Sequence, residues 1–173
     1  MNRIPPKDIS GNILFWKIPG FFRLTSRVFV AVEILDFENG YDAIIPDTVS
    51  DEELGLHIRR CFERSKRFSS HSELPKIPQK TLNQDYKSWE KELLKKMKRP
   101  KMSGFSVGEF KTLNALKSSE QYYFSNCSCR ENPSVPREIL PHQEGFQNFT
   151  LPITASHKEL GALARSAFDA CLI

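Results

Sequence analysis

The chain has 173 residues, with 25 lysines and arginines against 21 aspartates and glutamates, giving a formal net charge of +4. This length suits one domain, and 39% hydrophobic residues with 13 phenylalanines can build a core that needs no disulfide or metal. No apolar run approaches the roughly 20 residues of a membrane-spanning helix, and the N-terminus lacks the apolar segment of a secretory signal. We therefore expect a single cytoplasmic domain over residues 1–173, away from membranes and with reduced cysteines.

Short β-branched or alternating runs predict the strands. The dipeptide Asn39-Gly40 carries the signal of a tight hairpin turn and leads into one of them. Two polar or Pro-rich segments predict loops, at residues 66–82 and 131–148. The predicted strands cover residues 12–16, 26–35, 41–45, 121–130 and 149–151.

Three helices are predicted from capping signals and apolar spacing. Two of them begin at an S-x-x-E capping box, formed by Ser50 with Glu53 and by Ser156 with Glu159. The third runs over residues 85–99 and stops before Pro100. Its expected core stripe consists of Tyr86, Trp89, Leu93 and Met97, at spacings of 3, 4 and 4.

An internal repeat links residues 46–65 with residues 152–171, which match at 8 of 20 positions without a gap. Glycine inside a helix costs about 1 kcal/mol against alanine, so Gly55 and Gly161 predict that another element packs against each first turn. The order of elements predicts an α+β fold: a largely antiparallel or mixed sheet flanked by helices, with two similar strand–helix halves near 26–66 and 121–171. The shared residues are Pro46/Pro152, Thr48/Thr154, Ser50/Ser156, Glu53/Glu159, Leu54/Leu160, Gly55/Gly161, Arg59/Arg165 and Phe62/Phe168.

Acidic residues are concentrated in residues 28–58, which hold eight of them and no lysine or arginine. The three at 51–53 lie in the first turn of a predicted helix, where the helix dipole favours negative charge. The others have no such local role, and an acidic patch would attract a basic partner. We therefore predict a partner-binding patch made of Asp36, Glu38, Asp42 and Asp47.

Basic residues dominate residues 59–117, with 16 of them against 6 acids. The favoured interpretation is the solvated face of helix 85–99, because Lys87, Lys91, Lys95 and Lys98 lie opposite its core stripe. The alternative is a nucleic-acid-binding module that uses the same helix. Its candidate contacts are Lys91, Lys95, Lys96, Lys98 and Arg99.

The cysteines and histidines predict little chemistry. Cys127 and Cys129 form one C-x-C pair, whereas structural zinc sites carry two wider knuckles, so we expect neither metal nor cofactor. Phosphate-binding loops, nucleophile elbows and metalloprotease motifs are missing from the sequence. An enzyme that uses His142, Cys127 or Cys129 is the least favoured alternative.

The two repeated segments resemble a known family. IIPDTVSDEELGLHIRRCFERSKRF and TLPITASHKELGALARSAFDAC are similar to the two strand–helix signatures of immunity proteins (the CdiI family) from bacterial contact-dependent growth inhibition systems. One signature lies in each half of the chain. These signatures consist of capping and packing residues, and residues 66–120 and 130–148 lie outside the resemblance.

The resemblance implies a binding protein rather than an enzyme. Members of the family protect a cell by binding a toxin domain delivered by a neighbour and blocking its active site or its access to substrate. The expected partner is therefore one cognate toxin C-terminal domain in a one-to-one heterodimer. The toxin is expected to be a nuclease, with a ribonuclease preferred over a deoxyribonuclease. The basic overall charge departs from what a nuclease inhibitor would carry, and the family supplies no fixed contact residues.

Overall fold

The computed structural model describes residues 8–29, 33–35, 39–68, 70–73, 79–101, 109–128, 137–139 and 143–172. Three α-helices are present in these ranges: α1 (Asp51–Arg64), α2 (Gln79–Met97) and α3 (His157–Asp169). A short 3-10 turn covers His71–Glu73. The strands are β1 (Gly11–Ile18), β2 (Phe21–Phe29), β3 (Glu33–Leu35), β4 (Asp42–Pro46), β5 (Lys66–Arg67), β6 (Lys111–Lys117), β7 (Gln121–Ser125), β8 (Cys127–Ser128), β9 (Arg137–Glu138) and β10 (Asn148–Pro152).

The main sheet is open and almost wholly antiparallel. Its path runs β10-β7-β6-β1-β2-β3, and β4 pairs with the first half of β2. The two-residue strand β5 adds the one parallel pairing recorded in the described part of the chain, against the end of β2. A separate ribbon joins β8 to β9. The α+β prediction of a largely antiparallel or mixed sheet flanked by helices is confirmed.

Helices cover both faces of this sheet. Successive side chains of a strand point to opposite faces, so Phe15 packs under α1 and α3 while Leu14 packs under α2. The larger core lies on the α1/α3 face, where Phe15 and Phe168 meet edge to face at 4.9 Å. The smaller core lies under α2 and centres on Trp89 and Leu93, both buried. Because both faces are covered, β1 reads as the apolar run ILFW rather than as a strict alternation.

The repeat forms a reciprocal pair of helices. Leu54 and Leu160 are fully buried at matching positions in the α1/α3 core, and so are Phe62 and Phe168 to within 2% exposure. A Cβ atom on Gly55 would lie 1.8 Å from the carbonyl oxygen of His157, the first residue of α3. A Cβ atom on Gly161 would lie 2.0 Å from the carbonyl oxygen of Asp51, the first residue of α1. Each glycine therefore lets the other helix begin in contact with its own first turn, as the sequence predicted.

The repeated arginines bind across the same interface. The Arg59 guanidinium donates to the carbonyl oxygen of Ala155, and the Arg165 guanidinium donates to that of Val49, at the equivalent position of the other half. Arg165 also donates to the carbonyl oxygen of Asp47 at 2.9 Å and to the Asp51 carboxylate at 2.8 Å. The loop before each helix is thus held by an arginine from the other helix.

Both predicted N-cap serines start helices. The hydroxyl of Ser50 accepts the backbone N–H of Glu53 at 3.2 Å, and that of Ser156 accepts the backbone N–H of Glu159 at 3.2 Å. In α3 the box is reciprocal, because the Glu159 carboxylate accepts the backbone N–H of Ser156 at 2.8 Å. These contacts satisfy N–H groups that have no partner inside the helix.

The box of α3 makes stability depend on pH. Hydrogen bonds from the hydroxyl and then the backbone N–H of Ser156 hold the pKa of Glu159 below its ordinary value. A lowered pKa in the folded state adds stability above the unfolded pKa, near about 4.3, and that stability is lost as pH falls through the folded value. We expect chemical unfolding between about pH 5 and 3 to show a steeper loss of stability for wild type than for Glu159→Gln. Ser156→Ala should flatten the profile in the same way, and three parallel profiles would contradict this assignment.

A lysine closes α2 where glycine is usual. Lys98 has φ of 53°. Its N–H bonds the carbonyl oxygen of Lys95 at 3.2 Å, and the N–H of Arg99 bonds that of Leu94 at 3.0 Å, which is the Schellman pattern. A left-handed residue other than glycine costs about 1 kcal/mol. The helix therefore ends on a lysine in a left-handed backbone conformation that lysine rarely adopts.

Several predicted boundaries were wrong. Strand β2 begins at Phe21 rather than at 26, because its first half pairs with both β1 and β4. The tight hairpin at Asn39-Gly40 is also wrong, since β4 pairs with Phe21–Thr25 while β3 pairs with Arg27–Phe29. Helix α2 begins at Gln79, inside the predicted loop 66–82. Strand 121–130 is divided into β7 and β8, with residues 129 and 130 outside the described ranges.

Two further differences concern side chains and a missed strand. Tyr86 was predicted in the core stripe of α2, but it is 47% exposed and lies against Trp89 at 5.4 Å. Strand β6 was not predicted, because its sequence KTLNALK favours a helix locally. Its pairing with β1 on one side and β7 on the other overrides that preference.

Candidate partner-binding surface

The structure separates the predicted acidic patch into unlike parts. Asp36 and Glu38 lie outside the described residues. Asp42 is the first residue of β4 and Asp47 follows its last residue, so five residue steps separate them, about 17 Å of extended chain. The part of the patch that can be described is therefore two sites rather than one cluster.

Asp42 has a structural partner that the sequence analysis did not identify. Its carboxylate forms an ion pair with Arg23, whose side chain is fully buried, and accepts the Thr25 hydroxyl at 2.9 Å. The Arg23 guanidinium stacks on the Trp89 ring at 4.2 Å, so the pair lies between the sheet and α2. Burial lowers the pKa of Arg23, and the neighbouring Asp42 charge opposes that effect. An arginine in the otherwise apolar run FFRLT was the sequence signal that could have revealed it.

Asp47 lies where the two halves meet. Its backbone carbonyl accepts from Arg165, while its side chain is half-buried and next to the loop that starts α1. Glu52 and Glu53 follow it and are exposed, whereas Asp51 is occupied by Arg165. Asp47, Glu52 and Glu53 thus lie within seven residues of one another around the start of α1, and we call them the acidic surface.

A tyrosine that precedes β4 is hydrogen-bonded to a histidine of α1. The Tyr41 hydroxyl hydrogen-bonds Nδ1 of His57, and both side chains are half-buried. Burial is the main effect on both groups: it raises the pKa of Tyr41 and lowers the pKa of His57. This hydrogen bond joins the residue before β4 to α1.

Of the three residues proposed for an enzyme, Cys127 lies within the described ranges. Cys127 is buried, and its backbone N–H donates to the Cys171 sulfur at 3.3 Å. Burial raises the pKa of the Cys61 thiol far above its ordinary value, which keeps that sulfur unreactive. Cys129 and His142 lie outside the described residues. Within the described ranges, no group of three histidine, cysteine or acidic residues is placed to hold a metal ion.

A shallow cleft lies beside the end of β2 and is lined by Ile9, Ser10, Arg67 and Phe68. The guanidinium of Arg67 donates to the carbonyl oxygen of Ile9 at 2.8 Å, so it closes one wall of the cleft. No helix in the described ranges combines the length and the apolar character that a bilayer crossing needs.

Two solved structures share this fold over almost the whole chain. A protein of unknown function from Neisseria meningitidis has a TM-score of 0.76 at 13% identity, covering 98% of this chain and 99% of its own. A chain from a CdiA-CT/CdiI toxin and immunity complex of Yersinia pseudotuberculosis has a TM-score of 0.74 at 19% identity, covering 95% of this chain and 99% of its own. No protein-family model matches the sequence, and neither does any curated protein. The fold is therefore that of a chain found in a toxin and immunity complex.

Proposed function

We propose that this protein is an immunity protein that binds and neutralises one cognate toxin domain of a contact-dependent growth inhibition system. The observation that carries the proposal is the fold match to a chain of a toxin and immunity complex, which covers 95% of this chain. The two repeated signatures support it independently, since they were identified from sequence alone. The protein acts in the cytoplasm as a one-to-one partner of the toxin.

The immunity role is preferred over the toxin role because of what the repeated residues do. The serines and glutamates cap helices, the glycines and arginines join α1 to α3, and the leucines and phenylalanines fill the core. The three cysteines described are all buried. A stable surface that covers another protein fits this use of residues better than a catalytic site does.

The toxin is a nuclease in this proposal, with a ribonuclease preferred. Nucleases bind phosphate through basic surfaces, so an acidic surface of the inhibitor can compete with nucleic acid for the basic surface of the toxin. Asp47 lies at the described acidic surface, and Asp36 and Glu38 precede β4 in the chain. Asp42 stays a predicted contact, although its ion pair with Arg23 ties its carboxylate to the fold. Complex formation would block the active site or the approach of substrate.

Co-expression tests the function directly. Candidate toxin domains, taken first from the gene next to this one, should arrest bacterial growth alone and lose that effect when this chain is present. The purified pair should elute as a one-to-one complex in light-scattering chromatography. Growth arrest caused by this chain itself would assign it the toxin role. Unchanged arrest by the toxin of the neighbouring gene would remove the proposal.

Charge reversal tests the binding surface separately. We expect the triple variant Asp36→Lys, Glu38→Lys and Asp47→Lys to slow association with the toxin by about tenfold or more at low salt, and to flatten its salt dependence. Asp42 is left intact because its reversal would place two positive charges together inside the fold. Stopped-flow or surface binding at several salt concentrations measures the effect.

The matched control changes the same charge at exposed acids elsewhere. Glu63, Glu120 and Glu144 are exposed, and their triple reversal to lysine shifts the net charge equally. If both triple variants slow association alike, only net charge matters and the acidic-surface assignment is wrong. Co-expression protection by the control variant shows whether the immunity function itself is intact.

A further inference from the structure

A row of exposed lysines follows the outer side of α2. Lys87, Lys91 and Lys95 are one helical turn apart, about 6 Å of rise each, and Lys98 follows at the end of the helix. We call these four residues the lysine ridge. At about 100° per residue the ridge lies opposite the buried side chains of Trp89 and Leu93. The ridge is therefore the part of α2 farthest from the sheet.

Acidic residues of the helix lie away from the ridge. Asp85 and Glu92 fall on one flank and Glu90 on the other. The ion pair of Glu92 with Lys96, at 3.8 Å, is also on the flank. Along the ridge, Lys87, Lys91 and Lys95 follow one another at i, i+4, a like-charge arrangement that destabilises a helix, while Glu90 lies three residues after Lys87 and Glu92 three residues before Lys95.

Local stability accounts in part for Lys87 and Lys95, which have acids at i, i+3, but not for Lys91 or Lys98. The helix dipole favours cations in the last turn, which covers Lys95 but not Lys87 or Lys91. Lys98 occupies a left-handed position that glycine would fill with less strain. The three lysines at i, i+4 repel one another. Such a departure from locally favourable sequence is expected where a residue serves a function.

We propose that the lysine ridge binds the phosphate backbone of nucleic acid without reading bases. The ridge consists of lysines, so it offers neither an aromatic ring on which a base could stack nor an arginine that could form paired hydrogen bonds with a base. Its ammonium groups would instead contact phosphates. This activity is separate from toxin binding and does not rest on it.

Two other partners fit the ridge less well. An amphipathic helix enters an anionic membrane through its apolar face, but Trp89 and Leu93 of α2 are buried against the sheet. The core of a protein interface is depleted in lysine, whereas phosphate contacts are made by lysine and arginine. The geometry therefore favours nucleic acid.

Fluorescence anisotropy with a labelled 20-base-pair DNA and a 20-nucleotide RNA tests the ridge. Four lysine contacts on duplex DNA give a slope of log K against log salt of about −3.6, so affinity should fall about 100-fold between 50 and 200 mM salt. The variant Lys87→Gln, Lys91→Gln, Lys95→Gln should retain a slope of about −0.9. Changing the base sequence should leave wild-type affinity within about twofold.

The control variant is Arg64→Gln, Lys66→Gln, Lys158→Gln, which removes the same charge at exposed positions off α2. It should keep the wild-type slope. Lys98→Gly adds a separate check, because it should raise the thermal unfolding midpoint while reducing the slope by about 0.9. No nucleic-acid binding at 50 mM salt, equal losses in both triple variants, or binding to vesicles of 30% phosphatidylserine in place of nucleic acid would each overturn the proposal.

Discussion

Alanine at Gly55 or Gly161 is expected to lower the free energy of unfolding by about 3 kcal/mol or more. The new methyl group would lie 1.8 Å from the carbonyl oxygen of His157 in the first case and 2.0 Å from that of Asp51 in the second. Both obstacles are backbone atoms at a helix start, so relief requires the two helices to separate. Urea unfolding followed by circular dichroism measures the loss.

The sign of this effect makes it decisive. In an unobstructed helix, glycine to alanine stabilises by about 1 kcal/mol. The control is Ala162→Gly, at the exposed position next to Gly161, which should cost only about 1 kcal/mol. A stabilised or unchanged Gly55→Ala variant would show that α1 and α3 do not cross as described.

The second large effect is expected at Asp42. Its replacement by alanine removes the ion-pair partner of the buried Arg23 guanidinium and leaves only the weaker influence of Glu92, so we expect a loss of about 3 kcal/mol. Thr25 loses its hydrogen-bond acceptor at the same time. Arg23→Met should cost less, because the Asp42 carboxylate is one-third exposed and water can solvate it. Urea midpoints of the single variants give both values.

A double-mutant cycle separates the interaction energy of the Arg23–Asp42 ion pair from the individual effects of the two residues on stability. Arg23→Met together with Asp42→Ala should be more stable than Asp42→Ala alone, since no buried charge is left unpaired. Asp47→Ala serves as the control from the same predicted patch and should cost less than about 1 kcal/mol. A cost at Asp42 no larger than that at Asp47 would mean that the ion pair is not part of the fold.

The sequence was most informative where a residue acts within its own segment. The capping serines and the helical glycines are local signals, and they predicted both the start of α1 and α3 and the contact at Gly55 and Gly161. Strand β6 was missed because its identity depends on β1 and β7, which are distant in sequence. The start of β2 was missed for the same reason, since its first half is defined by β4.

The candidate site was less predictable than the fold. Asp42 looked unpartnered because its counter-charge, Arg23, lies 19 residues earlier and reaches it only through the pairing of β2 with β4. Conversely, the spacing of Lys87, Lys91 and Lys95 was visible in the sequence. The structure was needed to show that this lysine ridge lies opposite the buried side of α2, with the acids of the helix on either side of it.

The reciprocal crossing of α1 and α3 has a consequence for how such a protein can change. The glycines and arginines that join the two halves contact the opposite helix or the loop before it. The exposed positions of α1 and α3 are not part of these contacts. Residues at those positions can be substituted without disturbing the packing of α1 against α3. The same framework can therefore accept new exposed side chains. Because arginines already hold the loops before the helices, a partner that bound there would have to order little additional chain.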